Sequence, residues 1–212
     1  MHTLWAMSGC AGMFGIFFSR DIGLTLEQIG TLGAIGGTVG LILTYPAGIV
    51  ADKYHPLRVQ LAMQSVILCF TPLGLIYLVV PMSPQAVFYF SLAITLAVAP
   101  ANILYGASEF PTFMRLYPPE RFGQFCSAMS MIRSVGLILG GLVAGLVFDG
   151  LKWAYSGSDF AYRWVPAWIW LFQILAVLCL INVYRGWKRF GGMENYQAPL
   201  PGDATKVAGP DR

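Results

Sequence analysis

In a chain of 212 residues that is 57% hydrophobic and 11% charged, the polar side chains that fall inside apolar runs are the ones that could do chemistry. Arg133 is the most unusual of them. It lies eight residues beyond Phe125 in an apolar stretch, roughly 12 Å along a helix, where a guanidinium facing lipid would struggle to reach bulk water even by snorkelling. Ser127, Ser130 and Ser134 recur beside it at three- and four-residue intervals. The preceding apolar stretch has a strip of its own, with Ser91, Thr95 and Asn102 on one face, Tyr105 nearby and Glu109 a further turn on. Two such strips describe a wet path between helices and assign a substrate cavity to Arg133, Asn102, Thr95, Tyr105 and Ser130. These residue types bind and orient a solute and do not break bonds. The alternative is that Arg133 pairs with Glu109 or with backbone carbonyls, while the hydroxyls bond back to their own helices.

Catalytic chemistry has no constellation here. His2 and His55 are the only histidines, which removes multi-histidine metal sites and bis-histidine haem, and neither HExxH, Gly-x-Ser-x-Gly nor a phosphate-binding Gly-x-x-x-x-Gly-Lys-Ser/Thr loop occurs. The sequence therefore reads as a non-enzyme without metal or cofactor. Cys10, Cys69, Cys126 and Cys179 fall one per apolar segment and read as buried free thiols. A net charge of +3, spread through connections, lacks the clustering of a nucleic-acid binder.

With a mean hydropathy of +0.65 the chain cannot hide its apolar side chains in one water-soluble globule, and lipid must cover the rest. The pattern predicts an all-α integral membrane protein with six spans over residues 3–19, 28–51, 59–80, 86–107, 124–148 and 165–184, forming one membrane domain from 1 to 184. The first segment is short and reads as a helix without its beginning; it lacks the charged flank and cleavage site of a signal peptide. Pro46 and Pro72 are expected to bend the second and third spans. Pro111, Pro118 and Pro119 are expected to end the fourth. Residues 185–212 are polar and Pro/Gly-rich, and read as a disordered tail. One set of loops holds Lys53, Arg58, Arg115, Arg121, Arg185, Lys188 and Arg189, and the other only Arg20, Lys152 and Arg163. Both termini are thus expected in the cytoplasm.

The loop after the second span, Gly48-Ile-Val-Ala-Asp52-Lys53-Tyr-His-Pro-Leu-Arg58, resembles the connection between the second and third helices in each half of the major facilitator superfamily. Tyr54-His55-Pro56-Leu57 intervene before a single Arg58, a degeneracy more typical of the C-terminal copy. The resemblance covers about Met1 to Tyr184 and implies one six-helix half of such a transporter, more specifically the C-terminal half. Sugar-type members carry a Glu and an Arg near the end of the fourth span, at a separation similar to that of Glu109 and Arg115. The resemblance thus implies a cytoplasmic gate of Gly48, Asp52, Lys53, Arg58, Glu109 and Arg115, with Arg121 nearby. Solvated loop charges, worth little singly, are the other reading.

Glycines complete the pattern. Gly33, Gly37 and Gly36, Gly40 in the second span, and Gly136, Gly140 and Gly141, Gly145 in the fifth, form small-xxx-small pairs that permit close helix approach. In the superfamily these two helices meet the other half, which makes Gly33, Gly37, Gly40, Gly136, Gly140 and Gly145 a half-to-half interface; packing inside the same bundle is the alternative. The implied function is secondary transport of a small solute, a sugar or other organic molecule, by alternating access in the cell membrane, with or without a coupling ion. The implied partner is an N-terminal half or a second copy. The competing function is a six-span scaffold that binds a partner and moves nothing.

Overall fold

The structure, a computed structural model, describes residues 2–9 and 13–196, and among them there is no strand. Helix α1 is His2–Ser8, and α2, Met13–Ile16, runs on into a π-helical turn at Phe17–Asp21. Next come α3 (Leu26–Lys53), α4 (Pro56–Phe70), a 3-10 turn at Thr71–Leu75, and α5 (Ile76–Val79). The remainder is α6 (Pro84–Leu116), α7 (Phe122–Ala154), a 3-10 turn at Asp159–Trp164, α8 (Val165–Arg189) and α9 (Gly192–Asn195). Five stretches, Leu26–Lys53, Pro56–Val79, Pro84–Leu116, Pro119–Ala154 and Asp159–Arg189, are long and apolar enough to cross a membrane, which fits an integral membrane protein. The shortest has 24 residues, about 36 Å at ~1.5 Å per residue against a hydrocarbon core of ~30 Å. The first apolar segment is seen as α1 and the α2–π stretch, with residues 10–12 outside those described.

Local chemistry sets the ends. Thr25 caps α3 through a capping box, its hydroxyl accepting from the Gln28 N–H at 3.2 Å while its own N–H donates to Gln28 Oε1 at 3.0 Å. Pro56 and Pro84 each occupy the first turn of a helix, where the missing N–H costs nothing. Pro72 lies in the first turn of the 3-10 stretch that interrupts the α-helix.

Two expectations are corrected. The fourth segment does not end near Ala107; α6 runs through Pro100 and Pro111 to Leu116. Beside Pro111, Ser108 Oγ donates to the Tyr105 carbonyl at 2.8 Å and Thr112 Oγ1 to the Ser108 carbonyl at 2.7 Å, bonds within the helix that flank the Ala107 carbonyl, whose i+4 donor Pro111 lacks. The tail does not begin at Arg185, because α8 continues to Arg189 with Trp187 buried against Leu57 and Leu180. Cations in a last helical turn suit the dipole. Residues 197–212 of the expected tail lie outside the described residues.

The packing has an internal order. Helix α3 lies on α6, α6 on α4, α4 on α8, α8 on α1, and α1 on α7. Replacing each apolar segment by the one three places on turns the α3–α6 contact into the α7–α1 contact and the α4–α6 contact into the α8–α1 contact, and leaves α4–α8 unchanged. Helices α3 and α4 thus meet α6 as α7 and α8 meet α1. The outermost helices, α3 and α7, are each anchored mainly to one neighbour. Both are heavily exposed, with Leu41, Ile42 and Tyr45 on α3 and Ile138, Leu142 and Leu146 on α7 standing out from the bundle.

The end opposite the basic loops is tied by charge. Arg163 Nε donates to Asp21 Oδ2 at 2.7 Å, with the aspartate side chain only 7% exposed, and Arg163 Nη1 reaches the Tyr77 carbonyl at 3.4 Å. One guanidinium thus joins the turn after the first segment, α5, and the turn before α8. Beneath it Phe17, Tyr77, Val87, Phe148, Val165 and Trp168 form the largest apolar core. Removing one partner of such a pair strands the other. Asp21→Asn is expected to cost about 1–3 kcal/mol, less than a fully sealed pair because Arg163 keeps some access to water, and to lower the melting temperature in detergent by several degrees. A variant melting with the wild type would show that the pair does not hold this end together.

Candidate functional site

A cavity of about 570 Å³ opens between α3, α4, α6 and α8 in the half of the bundle away from the basic loops. Its α3 wall is made by Gly33, Gly36 and Gly37, its α6 wall carries Ser91, Thr95 and Asn102, and Thr71, Tyr77 and Gln173 complete its polar lining. A Cβ at Gly36 would touch the Thr95 methyl at 3.4 Å, whereas at Gly33, Gly37 and Gly40 it would meet nothing within 4 Å. Gly33 and Gly37 therefore widen the space between α3 and α6. Close helix approach is instead made at Gly74, where a Cβ would lie 3.0 Å from Pro166.

The cavity's polar groups are held in place. The Thr71 hydroxyl bonds Gln173 Oε1 at 2.6 Å and the Tyr77 hydroxyl bonds Ser91 Oγ at 2.8 Å, while the Asn102 residue is exposed. Among the described residues no Asp, Glu, Lys, Arg or His lines it. Apolar surface with a few hydroxyls and amides suits an uncharged organic molecule, since an ion would lose its hydration there without a counter-charge.

Of the cavity residues expected from sequence, Asn102 and Thr95 are brought together here. The other three lie elsewhere. Tyr105 is buried one turn below Asn102 in an apolar cluster with Ile67, Val98 and Ala101. Ser130 is exposed on α7, its carbonyl accepting from the Ser134 hydroxyl at 3.0 Å. Arg133 faces Glu109 at 3.6 Å, with side chains 37% and 24% exposed, so that an ion pair joins α7 to α6. Tyr105 lies close enough to that pair, and to Gln60, to feel their charges and dipoles.

The gate set does not assemble as one cluster. Glu109 is committed to Arg133, and Asp52 is exposed without an ion pair among the described residues. Lys53 sits 5.8 Å over the Tyr54 ring and Arg58 5.9 Å over the Trp187 ring. Arg115 is exposed, and Gly48 is half-buried with open space where a Cβ would stand. The physical reason is distance along helices: with α6 unbroken, Glu109 stays inside the bundle, two turns short of the loop. Between these residues His55 is buried against Trp187, ring centroids 4.3 Å apart. Burial first, then the cations Arg115 and Arg58, hold its imidazole down to about 4.

The glycine stripe of α7 divides in two. Gly136 and Gly140 share the inward face with Ala144 and Phe148, and a Cβ at Gly136 would collide with Thr3 of α1 at 2.5 Å. They pack inside the bundle and are not an outer interface. Gly141 and Gly145 are exposed with open space around them. The cysteines also differ from expectation: Cys69 is exposed, Cys126 and Cys179 are half-buried, and Cys10 lies outside the described residues.

Two residues escaped the sequence reading altogether. Gln60 and Gln64, one helical turn apart on α4, are 0% and 2% exposed, and among the described residues no well-formed hydrogen bond reaches their amides, with the Tyr105 side chain lying beside Gln60. Their signal was available as two amides at i and i+4 in an apolar segment. They continue the α4 face that carries Thr71, separated from the cavity by Ile67. An unmet buried polar group costs about 1–3 kcal/mol, so this seam favours any rearrangement that wets it. Replacement by the volume-matched, apolar pair Gln60→Met/Gln64→Met is expected to stabilise this conformation and raise its melting temperature by at least about 2 °C. A fall would mean that the amides are structural hydrogen-bonding groups.

Compared along its length, the chain gives no match to any protein-family model and no significant match to a curated protein or a solved structure.

Proposed function

We propose that the chain is one six-span half of a secondary transporter of the major facilitator type, with the first apolar segment as its sixth span, and that it moves a small uncharged organic solute by alternating access. The observation that carries the proposal is the packing order, in which α3 and α4 meet α6 as α7 and α8 meet α1. Two inverted three-span repeats would pack in this order, and such repeats place a site where they meet and let one part rock against another around it. The neutral cavity beside Asn102 supports the solute class, and a sugar or similar polyol matches its hydroxyl and amide lining. The exposed faces of α3 and α7, with Leu41 and Tyr45 on one and Gly141 and Gly145 on the other, suit pairing with an N-terminal half or a second copy. Seven of the bases, from Lys53 through Arg189, mark the end that faces the cytoplasm. Both termini lie on that side, in the cell membrane.

The test is uptake into proteoliposomes holding the chain with its partner, comparing radiolabelled sugars with the corresponding sugar acids. Sugars are expected to enter and acids not. Asn102→Leu is expected to cut uptake about tenfold, the worth of one buried hydrogen bond of ~1.4 kcal/mol. Unchanged transport by Asn102→Leu would remove the cavity as the site. A preparation that pairs normally but moves neither solute would leave the scaffold function in its place.

A further inference from the structure

Helices α3 and α4 follow each other in sequence yet barely touch, because both lie on α6. Between them runs a furrow floored by α6. At the basic end it deepens into a second cavity of about 350 Å³, and the residues around it fall into two chemistries. Lys53 and Arg58 stand at the mouth, and Val59, Ala62, Met63 and Leu104 form the wall leading into the bundle. We propose that this furrow binds an anionic phospholipid, its phosphate held between Lys53 and Arg58 and one acyl chain laid along Val59, Met63 and Leu104.

Three observations converge on that ligand. Lys53 and Arg58 are both exposed and neither makes an ion pair among the described residues; each rests only near an aromatic ring, at 5.8 and 5.9 Å. Cation–π contacts at exposed sites are weak and leave the ammonium and guanidinium donors free for phosphate oxygens. Asp52 is the carboxylate beside them in sequence, and with His55 held neutral the Asp52–Arg58 loop keeps a surplus positive charge. The wall is apolar and descends from the charged loop along helices that cross the membrane, which is the shape of a lipid and not of a soluble phosphate. A polar solute would gain nothing from Met63 and Leu104.

Leu104 here follows directly on Asn102 and Ile103, which line the other cavity. A lipid seated there would brace α3 against α4 where they have no contact of their own. It would thereby stabilise the bundle whether or not the chain transports, so the site stands or falls separately from the function proposed above.

The test uses the full chain in mild detergent, titrated with dioleoylphosphatidylglycerol, dioleoylphosphatidylcholine or glycerol 3-phosphate, with binding followed by native mass spectrometry and thermal unfolding. Phosphatidylglycerol is expected to bind about 30-fold more tightly than phosphatidylcholine, the worth of two cations at a membrane surface, and to raise the melting temperature. Lys53→Gln/Arg58→Gln, at exposed positions that the fold does not need, is expected to abolish that preference. Ala62→Trp, which fills the furrow and leaves both cations, is expected to weaken both lipids. Equal binding of the two lipids, or a preference that survives the double substitution, overturns the proposal. Glycerol 3-phosphate binding as tightly as the lipid would show a simple anion site and overturn it as well.

Discussion

A helix surrounded by hydrocarbon gains nothing from swapping a lipid neighbour for a leucine, so the arrangement of this bundle depends on the few contacts that lipid cannot imitate. They are steric and polar. Gly74 lets α8 approach through Pro166, and Gly136 lets α1 sit on α7 through Thr3. The Asp21–Arg163 pair, the Thr71–Gln173 and Tyr77–Ser91 bonds and the Trp168 indole on the Met7 carbonyl at 3.1 Å then fix which faces meet. Each is a group that would be costly in lipid alone, and all but Tyr77–Ser91 join segments distant in sequence.

The same constraint explains why the polar cavity lies where it does. Wherever α3 meets α6 without a side chain, at Gly33 and Gly37, packing leaves space, and the hydroxyls and amides that line it remain available. Charge is kept elsewhere, at Glu109–Arg133 and at the two ends. A solute entering this chamber would exchange water for neutral hydrogen-bonding groups and apolar walls. Below it Ile67, Val98 and Tyr105 form an apolar cluster, and Gln60 and Gln64 are buried further along α4.

How far the sequence foretold this depends on the kind of signal. Length and hydropathy located the long helices, because covering ~30 Å of hydrocarbon demands an uninterrupted apolar run. Pro111 misled, because a proline that ends a helix in water is tolerated inside a long apolar helix packed against its neighbours. Asn102 and Thr95 were legible as a cavity strip from their spacing on one face. Arg133 was legible only as needing a partner or a cavity, since spacing within α7 carries no information about which side of α6 it meets. The glycines of α7 posed the same difficulty. Two overlapping small-xxx-small registers exist, and the choice between Gly136–Gly140 and Gly141–Gly145 for the inner face is made by α1, far away in sequence. Gln60 and Gln64 were passed over because uncharged amides do little to hydropathy, although in a dry seam they matter as much as charge.

The central claim is that α3 and α7 are open edges of a half-assembly, covered in the membrane by another polypeptide. The most direct measurement is spin-label accessibility to molecular oxygen in native membranes, with nitroxides at Leu41 on α3, at Gly145 on α7 and at Leu178 on the exposed face of α8. A covered edge predicts that Leu41 and Gly145 collide with oxygen well below the rate at Leu178, and that dilution of the protein into excess lipid raises the two toward it if the partner is a second copy. Equal oxygen collision at all three positions in native membranes would mean that lipid already covers α3 and α7, and would contradict the account.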